Sequence, residues 1–403
     1  MKKALLITPN FPPVVGGVAH ILHHVCRSLP PEQIVVLAPW GVNTSADREY
    51  NADSKAVARA FDAEQPFRIY RAGYRMSPQA VTLLSVFWFG LHTLWLILRE
   101  RPDVLYFGQP YPIGLIGLVT RLVGVPYVVH TYGSELVRPR GPLGDRLRRL
   151  VLRNAFRVIT ISQWGSDTVV HMGVAPQRAV VIHPKLDLER FEQPFDVDAF
   201  KAKEGLAGKR VLITVGRLSV RKGQHLVIRA LPEILKDFPN TVYAVVGAGP
   251  EEAMMRDEAH KAGVADRVLF PGNRDVVAFY KACDLFIMPS LYIERPRGDI
   301  ESFGIVYIEA NACGKPAIGA DNGGIPDAVL DGETGLLVET DSVSSIVEAV
   351  TRLLADAALC ERLGRQGYAR VKREFTLDKY AEEFQRLVLD PLPPALPEEM
   401  RRG

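Results

Sequence analysis

The feature that most constrains this chain is a repeated switch between two hydrophobic periods. Short runs rich in Val, Ile and Leu alternate with longer stretches whose apolar residues recur every three to four positions. Consecutive strands separated by helices bury their apolar faces as a parallel sheet covered on both sides. Strands are predicted at residues 3–8, 33–38, 67–71, 104–107, 127–130, 158–161 and 180–182. Helices are predicted near 18–29, 80–99, 113–123, 143–155 and 163–171. The alternation pauses over 186–208, a charged stretch with Pro194, Gly205 and Gly208, and then resumes. The second set of strands is 210–215, 241–246, 268–270, 285–288, 317–319 and 336–338, with helices at 223–237, 251–262, 275–282, 304–313, 342–355 and 358–373. At 403 residues the chain exceeds one ordinary core. The prediction is an α/β protein of two doubly wound domains facing a cleft, 1–187 and 209–374, joined by a linker at 188–208. A last helix at 377–389 precedes a Pro-rich tail, 391–397, expected to be poorly ordered. Open α/β sheets bind ligands beyond the carboxyl ends of their strands, so the chemistry should lie in the loops that follow strands.

Composition narrows the function. With 47% hydrophobic and 24% charged residues the chain is globular rather than disordered. A net charge of +3 gives no support to nucleic-acid binding. Cys26, Cys283, Cys313 and Cys360 are isolated, with no Cys-x-x-Cys pair or Cys/His cluster. They fit a reducing, cytoplasmic setting and neither a disulfide framework nor a metal site. The apolar run near Met1 is four residues long before Thr8 and Pro9, too short for a signal peptide, and reads as a strand. Residues 80–98, opening on Ala80 and closing on Leu98, hold no Asp, Glu, Lys or Arg. Thr82, Ser85, His92 and Thr93 form a thin polar stripe there. The segment suits a helix packed on a sheet, lying on a membrane surface, or spanning it.

Three loops carry the strongest chemical signals. Residues 10–18 follow the first strand and place Pro12-Pro13 and Gly16-Gly17 before a helix. They are a tight turn, or exposed backbone N–H groups where a helix start already favours anions. Residues 215–224 read Val-Gly-Arg-Leu-Ser-Val-Arg-Lys-Gly-Gln, after the first strand of the second domain. Arg217 and Lys222 beside a helix start suit a diphosphate; a solvated basic loop is the plainer reading. Residues 301–310 set Glu301 and Glu309 eight positions apart, with Phe303-Gly304 between them. A helix starting near Phe303 would offer the Gly304 and Ile305 amides to phosphate, leaving one carboxylate for a ribose and the other for a hexose. An acidic cap and a surface glutamate are the alternative. Gly247-Ala248-Gly249-Pro250 lacks the sixth-position small residue of a dinucleotide fingerprint, which disfavours NAD. Ala320–Asp327 is one more glycine-rich strand-to-helix loop.

At these loops the chain resembles glycosyltransferase family 4, over nearly its whole length. The run from Arg297 to Ala310, Arg-Gly-Asp-Ile-Glu-Ser-Phe-Gly-Ile-Val-Tyr-Ile-Glu-Ala, is most similar to the phosphatidylinositol mannosyltransferase-like branch. The resemblance implies the GT-B fold, two Rossmann-like domains, and metal-independent transfer with retention, using a nucleotide-diphosphate sugar as co-substrate and no cofactor. It implies that Arg217 and Lys222 bind the donor diphosphate, Glu309 the ribose and Glu301 the transferred sugar. Phe303, Gly304 and Ile305 would complete the donor site, Gly16 and Gly17 would approach it from the first domain, and residues 375–403 would return to that domain. Two departures stand out. Family members often place His just before the glycine where this chain has Tyr132-Gly133, leaving His130 as the catalytic candidate or as a core histidine. His183-Pro184-Lys185-Leu186-Asp187 also replaces a Pro-Asn-Gly-Val-Asp turn.

No residue is an obvious covalent nucleophile. The expectation is front-face departure of the nucleoside diphosphate, with Arg217 and Lys222 carrying its charge. The acceptor would be lipid-linked or a glycan. Residues 138–157, bounded by Arg138 and Arg157, hold seven arginines against Asp145. With 80–98 they could rest on an anionic membrane surface at the inner face of the cell membrane, or be a solvated basic face. Two further functions fit the same loops: epimerisation or hydrolysis of a nucleotide sugar, and nucleotide-sugar binding without catalysis.

Overall fold

The computed structural model describes residues 2–14, 16–40, 52–72, 83–293 and 298–392. The chain packs as two compact units, Met1–Lys185 with Leu377–Gly403, and Leu186–Thr376. In the first, the order is β1 (Ala4–Ile7), α1 (Gly17–Ser28), β2 (Ile34–Pro39), α2 (Ala52–Ala63), β3 (Arg68–Ala72), α3 (Leu83–Glu100), β4 (Val104–Phe107), α4 (Leu115–Thr120), β5 (Tyr127–Thr131), α5 (Ser134–Val137), α6 (Gly141–Asn154), β6 (Arg157–Thr160), α7 (Gln163–His171) and β7 (Ala179–Val181). The second runs α8 (Leu188–Glu192), α9 (Val197–Lys203), β8 (Arg210–Val215), α10 (Gln224–Asp237), β9 (Thr241–Val246), α11 (Glu252–Lys261), β10 (Val268–Gly272), α12 (Val276–Ala282), β11 (Leu285–Met288), α13 (Ile305–Ala312), β12 (Ala317–Ala320), α14 (Ile325–Ala328), β13 (Gly335–Val338), α15 (Val343–Ala355) and α16 (Ala357–Glu374). The final helix, α17 (Leu377–Phe384), belongs to the first unit.

Both sheets are parallel and doubly wound. The first has the order β3-β2-β1-β4-β5-β6-β7 and the second β10-β9-β8-β11-β12-β13. Central strands β1, β4, β8 and β11 are buried nearly end to end, which is why they read as continuous aliphatic runs rather than as alternation. The strand order reverses beside β1 and beside β8. The loops after these strands therefore open at the crevice where such sheets take ligands.

The expected linker at 188–208 is corrected. It carries α8 and α9 and is packed into the second unit by Phe191, Leu206 and a Phe200–Phe279 edge contact at 5.2 Å. Glu204 pairs with Arg274 at 2.6 Å. The density of charge hid these apolar anchors. At the other end, α17 buries Tyr380 and Phe384 and packs on α1. Buried Lys185 reaches Glu383 at 3.0 Å. Helix α2, rich in charged residues, was not expected. Residues 80–82 of the apolar segment, Arg297 and the tail from 393 lie outside the described residues. Thr93, expected on a polar stripe of α3, is buried and donates to the Phe89 carbonyl at 2.7 Å. Among the described residues no helix is long and apolar enough to cross a membrane.

Candidate active site at the carboxyl ends of the second sheet

The loops after β8, β11 and β12 form one hydrogen-bonded cluster. After β8 the chain makes a short 3₁₀ turn, Val220–Lys222, and enters α10 through Gly223. Gly223 has φ of 72°, and a β-carbon there would collide with the Pro289 carbonyl, so close approach and left-handed backbone both require glycine. Gln224, the first residue of α10, reaches back to the Arg217 carbonyl at 3.1 Å and fixes the loop. The Leu291 amide donates to the Arg221 carbonyl at 2.7 Å, joining the β8 and β11 loops. Asn322, after β12, donates to the Ser290 carbonyl at 2.8 Å, and the Gly324 amide donates to the Glu301 carbonyl at 3.0 Å.

This scaffold converges charge. Lys222 Nζ lies 2.5 Å from Glu301 Oε2, and Arg221 Nη1 lies 3.0 Å from the same oxygen. Arg221 also reaches Asp299 at 3.5 Å. The Lys222 and Glu301 side chains are only 13% and 14% exposed. Burial by itself would raise the Glu301 carboxyl. The fields and hydrogen bonds of Lys222 and Arg221 outweigh it and hold the group at about 2. Arg217 is exposed, and among the described residues its side chain makes no ion pair or hydrogen bond. Gly304 caps α13, whose first-turn amides, beginning at Ile305, have no acceptor within the helix by its geometry. Asn322 Oδ1 is buried without a hydrogen-bond partner among the described residues. Together these groups have the chemistry to hold an anion carrying hydroxyl groups. Among the described residues no group of three or more His, Cys, Asp or Glu could hold a metal ion.

The structure therefore brings Lys222 and Glu301 together, with Gly304 and Ile305 in the same loop. Other expected site residues fall elsewhere. Glu309, on α13, accepts from the Tyr280 hydroxyl of α12 at 2.8 Å; burial raises its carboxyl despite that bond. It is not part of the ion cluster. The Phe303 ring is buried against Phe375, centroids 5.8 Å apart, and anchors the loop. Gly16 is extended, and a β-carbon at Gly16 or Gly17 would meet nothing within 4 Å, so neither backbone nor neighbours dictate glycine there.

His130 lies in the core of the first unit, as the alternative reading of this position expects. It is fully buried on β5, its Nδ1 is 2.5 Å from the Tyr106 hydroxyl, and its ring stacks on Tyr132 at 4.5 Å. Burial holds it neutral, pulling it down to about 3. Tyr132 is buried too, and the Tyr106 hydroxyl lies 3.5 Å from that of Tyr380 on α17. The sequence reading missed Arg221 and Asp299. The adjacent Arg221-Lys222 pair ahead of Gly223 was the available signal, and only its second member had been given a role.

Two parallel sheets with a cation-bearing loop cluster suit a nucleotide-diphosphate ligand, and the likeness to known proteins makes the class a glycosyltransferase of the GT-B fold. Glycosyl transferases group 1 matches residues 196–370, and glycosyl transferase 4-like domain matches residues 16–185. The GDP-mannose-dependent alpha-(1-6)-phosphatidylinositol monomannoside mannosyltransferase of Mycolicibacterium smegmatis is 31% identical, over 93% of this chain and 94% of that one. The protein of the same description from Mycobacterium tuberculosis H37Rv is 28% identical, over 95% and 97%. The crystal structure of Anabaena Alr3699/HepE in complex with UDP shares the fold, with a TM-score of 0.77 and 20% identity over 96% of this chain and 100% of that one. The chain belongs to glycosyltransferase family 4.

Proposed function

We propose that this glycosyltransferase moves a hexose from a nucleotide-diphosphate sugar to a lipid-linked or glycan acceptor, with retention and without a metal ion. The observation that carries this reading is the buried Lys222–Glu301–Arg221 cluster beside exposed Arg217. As the glycosidic bond breaks, negative charge grows on the departing diphosphate. Arg217, Lys222 and the start of α13 supply compensating charge. Glu301, ionised near neutral pH, accepts hydrogen bonds from hydroxyls of the transferred sugar. The acceptor hydroxyl attacks from the face that the leaving group vacates, and the diphosphate takes its proton. Because several relatives are GDP-mannose dependent, GDP-mannose is the first donor to offer.

A thermal-shift panel of GDP-mannose, UDP-glucose and ADP-glucose tests the donor, since specific binding raises apparent stability. The anomeric configuration of the product, read by NMR, tests the mechanism. An inverted product overturns the front-face route. Donor turnover that never depends on acceptor moves the assignment to hydrolysis or epimerisation, and tight donor binding without turnover makes the protein a binding module. A lipid-linked acceptor would place the enzyme peripherally at the inner face of the cell membrane, with residues 80–98 and 138–157 as the segments expected to meet it.

A further inference from the structure

Near its end, strand β3 carries an arginine withdrawn from solvent. The Arg71 side chain is 2% exposed, although β3 is an edge strand of its sheet. Its guanidinium makes four hydrogen bonds. Nε and Nη2 donate to the Asp62 carboxylate of α2 at 3.0 and 2.6 Å, a bidentate pair. Nη1 donates to the Pro39 carbonyl, at the end of β2, at 3.1 Å. Nη2 also donates to the Pro12 carbonyl, in the loop after β1, at 2.6 Å. The guanidinium carbon lies over the Phe11 ring, 5.9 Å from its centroid. One buried side chain thus ties together the carboxyl ends of three neighbouring strands, β3, β2 and β1.

The bond to Pro12 matters because the loop after β1 has few means of holding itself. Pro12 and Pro13 have no N–H to donate. The Asn10 amide donates to the Thr8 hydroxyl at 3.0 Å, and the Val14 amide to the Phe11 carbonyl at 3.2 Å. Side chains add to these bonds. Fully buried Phe11 meets His23 of α1, Phe61 of α2 and Phe67 edge-on, with centroids 6.1, 6.3 and 6.4 Å away. From this braced loop the chain enters α1, where a β-carbon on Gly16 or Gly17 would meet nothing within 4 Å. The strand order reverses beside β1, so this open entry lies where such sheets take ligands.

We infer that Arg71 is a positioning residue for sugar transfer. By holding the Pro12 carbonyl it sets the backbone of residues 10–14, and with it the open entry to α1, in the geometry that the reaction needs. This rests on the transferase reading above. The role calls for the arginine fork. Lysine would keep the charge but offers a single nitrogen, which cannot meet Asp62, Pro39 and Pro12 together. Arg71 belongs to the first unit and the Lys222–Glu301–Arg221 cluster to the second. Loss of Arg71 should therefore change the rate of transfer more than the binding of nucleotide.

Full-length R71K and R71M/D62N test it, through amide exchange, kinetics and thermal melts. The double variant removes both charges, so no unpaired carboxylate is left to unfold the chain. In R71M/D62N, peptides covering residues 10–20 should exchange about tenfold faster than in wild type, with those covering β4 and β5 unchanged. Well below the melting temperature, kcat should fall about tenfold to a hundredfold, the cost of a displacement of about 1 Å, while GDP affinity stays within about twofold. R71K should fall between R71M/D62N and wild type in both exchange and kcat. An arginine with a purely structural role lowers the melting temperature and leaves kcat per folded molecule unchanged in R71M/D62N, and that result overturns the proposal. So does unaltered exchange over residues 10–20, or a loss of GDP affinity equal to the loss of kcat. If wild type transfers no sugar from any donor offered, the transferase reading falls and this role with it, while the exchange data still report whether Arg71 braces the loop.

Discussion

The ion cluster around Glu301 makes a quantitative prediction. Glu301→Gln keeps the shape of the side chain and removes its charge, leaving Lys222 and Arg221 without their shared carboxylate oxygen. Held at about 2 rather than the usual 4.5, the ionised group contributes roughly 3 kcal/mol to folding at neutral pH. Little solvent screening need be subtracted, because both Glu301 and Lys222 are mostly buried. Its folded value lies below its unfolded one. The contribution is therefore complete above about pH 5 to 6, falls to less than about half by pH 3, and is lost near pH 2. Urea unfolding of wild type and E301Q at pH 7, 5 and 3 should show a gap that is constant over the first two and shrinks at the third. A gap of full size at pH 3, or no gap at pH 7, would refute the electrostatic account. If Glu301 also holds the transferred sugar, kcat in E301Q falls further than the loss of folded protein explains, at pH 7 and well below the melting temperature.

Arg221 bridges Asp299 and Glu301, so Arg221→Met should raise the Glu301 carboxyl, shift the acid limb of the kcat profile upward in pH and leave Arg221→Lys intermediate; a profile unmoved in both variants removes it as a positioning residue. His130 is neutral in the fold down to about pH 3 and takes up a proton near 6.5 when unfolded, so stability should decline as pH falls from 6.5. His130→Phe should flatten that slope in a pH series of thermal melts and leave no new inflection near 6.5 in activity. A slope unchanged by the substitution would place its origin in other groups.

Much of this architecture was legible because parallel strands must be aliphatic throughout. The predicted bounds of β4, β8, β9 and β11 coincide with those observed. Glycines ahead of helices marked the loops where the sheets open. What was illegible depends on partners distant in sequence. Glu301 and Glu309 look equivalent as a spaced pair, yet one meets cations from the β8 loop and the other a tyrosine on α12. His130 looks catalytic beside a glycine loop, but its environment is set by Tyr106, 24 residues earlier. For residues 188–208, local charge outweighed the few apolar anchors that commit the segment to a core. The polar stripe of α3 was misassigned for a related reason. Thr93 satisfies its hydroxyl on the preceding turn and can face inward, leaving aromatic residues outside.

The two cations assigned to the donor should not act alike, because they start from different partners. Arg217 has no competing ion pair among the described residues, so an arriving diphosphate gains its charge-assisted hydrogen bonds without breaking one. Lys222 begins 2.5 Å from a carboxylate, and in the bound ground state it would exchange one anion for another. Its net advantage grows only as charge builds on the leaving group, which is the condition for raising kcat rather than affinity. Arg217→Ala should thus weaken donor binding and slow transfer about tenfold to 150-fold in kcat/KM, the loss expected for a charge-assisted contact. Lys222→Ala should leave donor affinity within a few-fold, since the freed carboxylate and the lost cation both oppose binding only partly, and should cut kcat by more. Calorimetric titration with GDP and steady-state kinetics with the best donor separate the two. Equal losses of affinity in both variants would show that the Lys222–Glu301 pair opens before the donor is held, and the distinction drawn from the ligand-free geometry would fall.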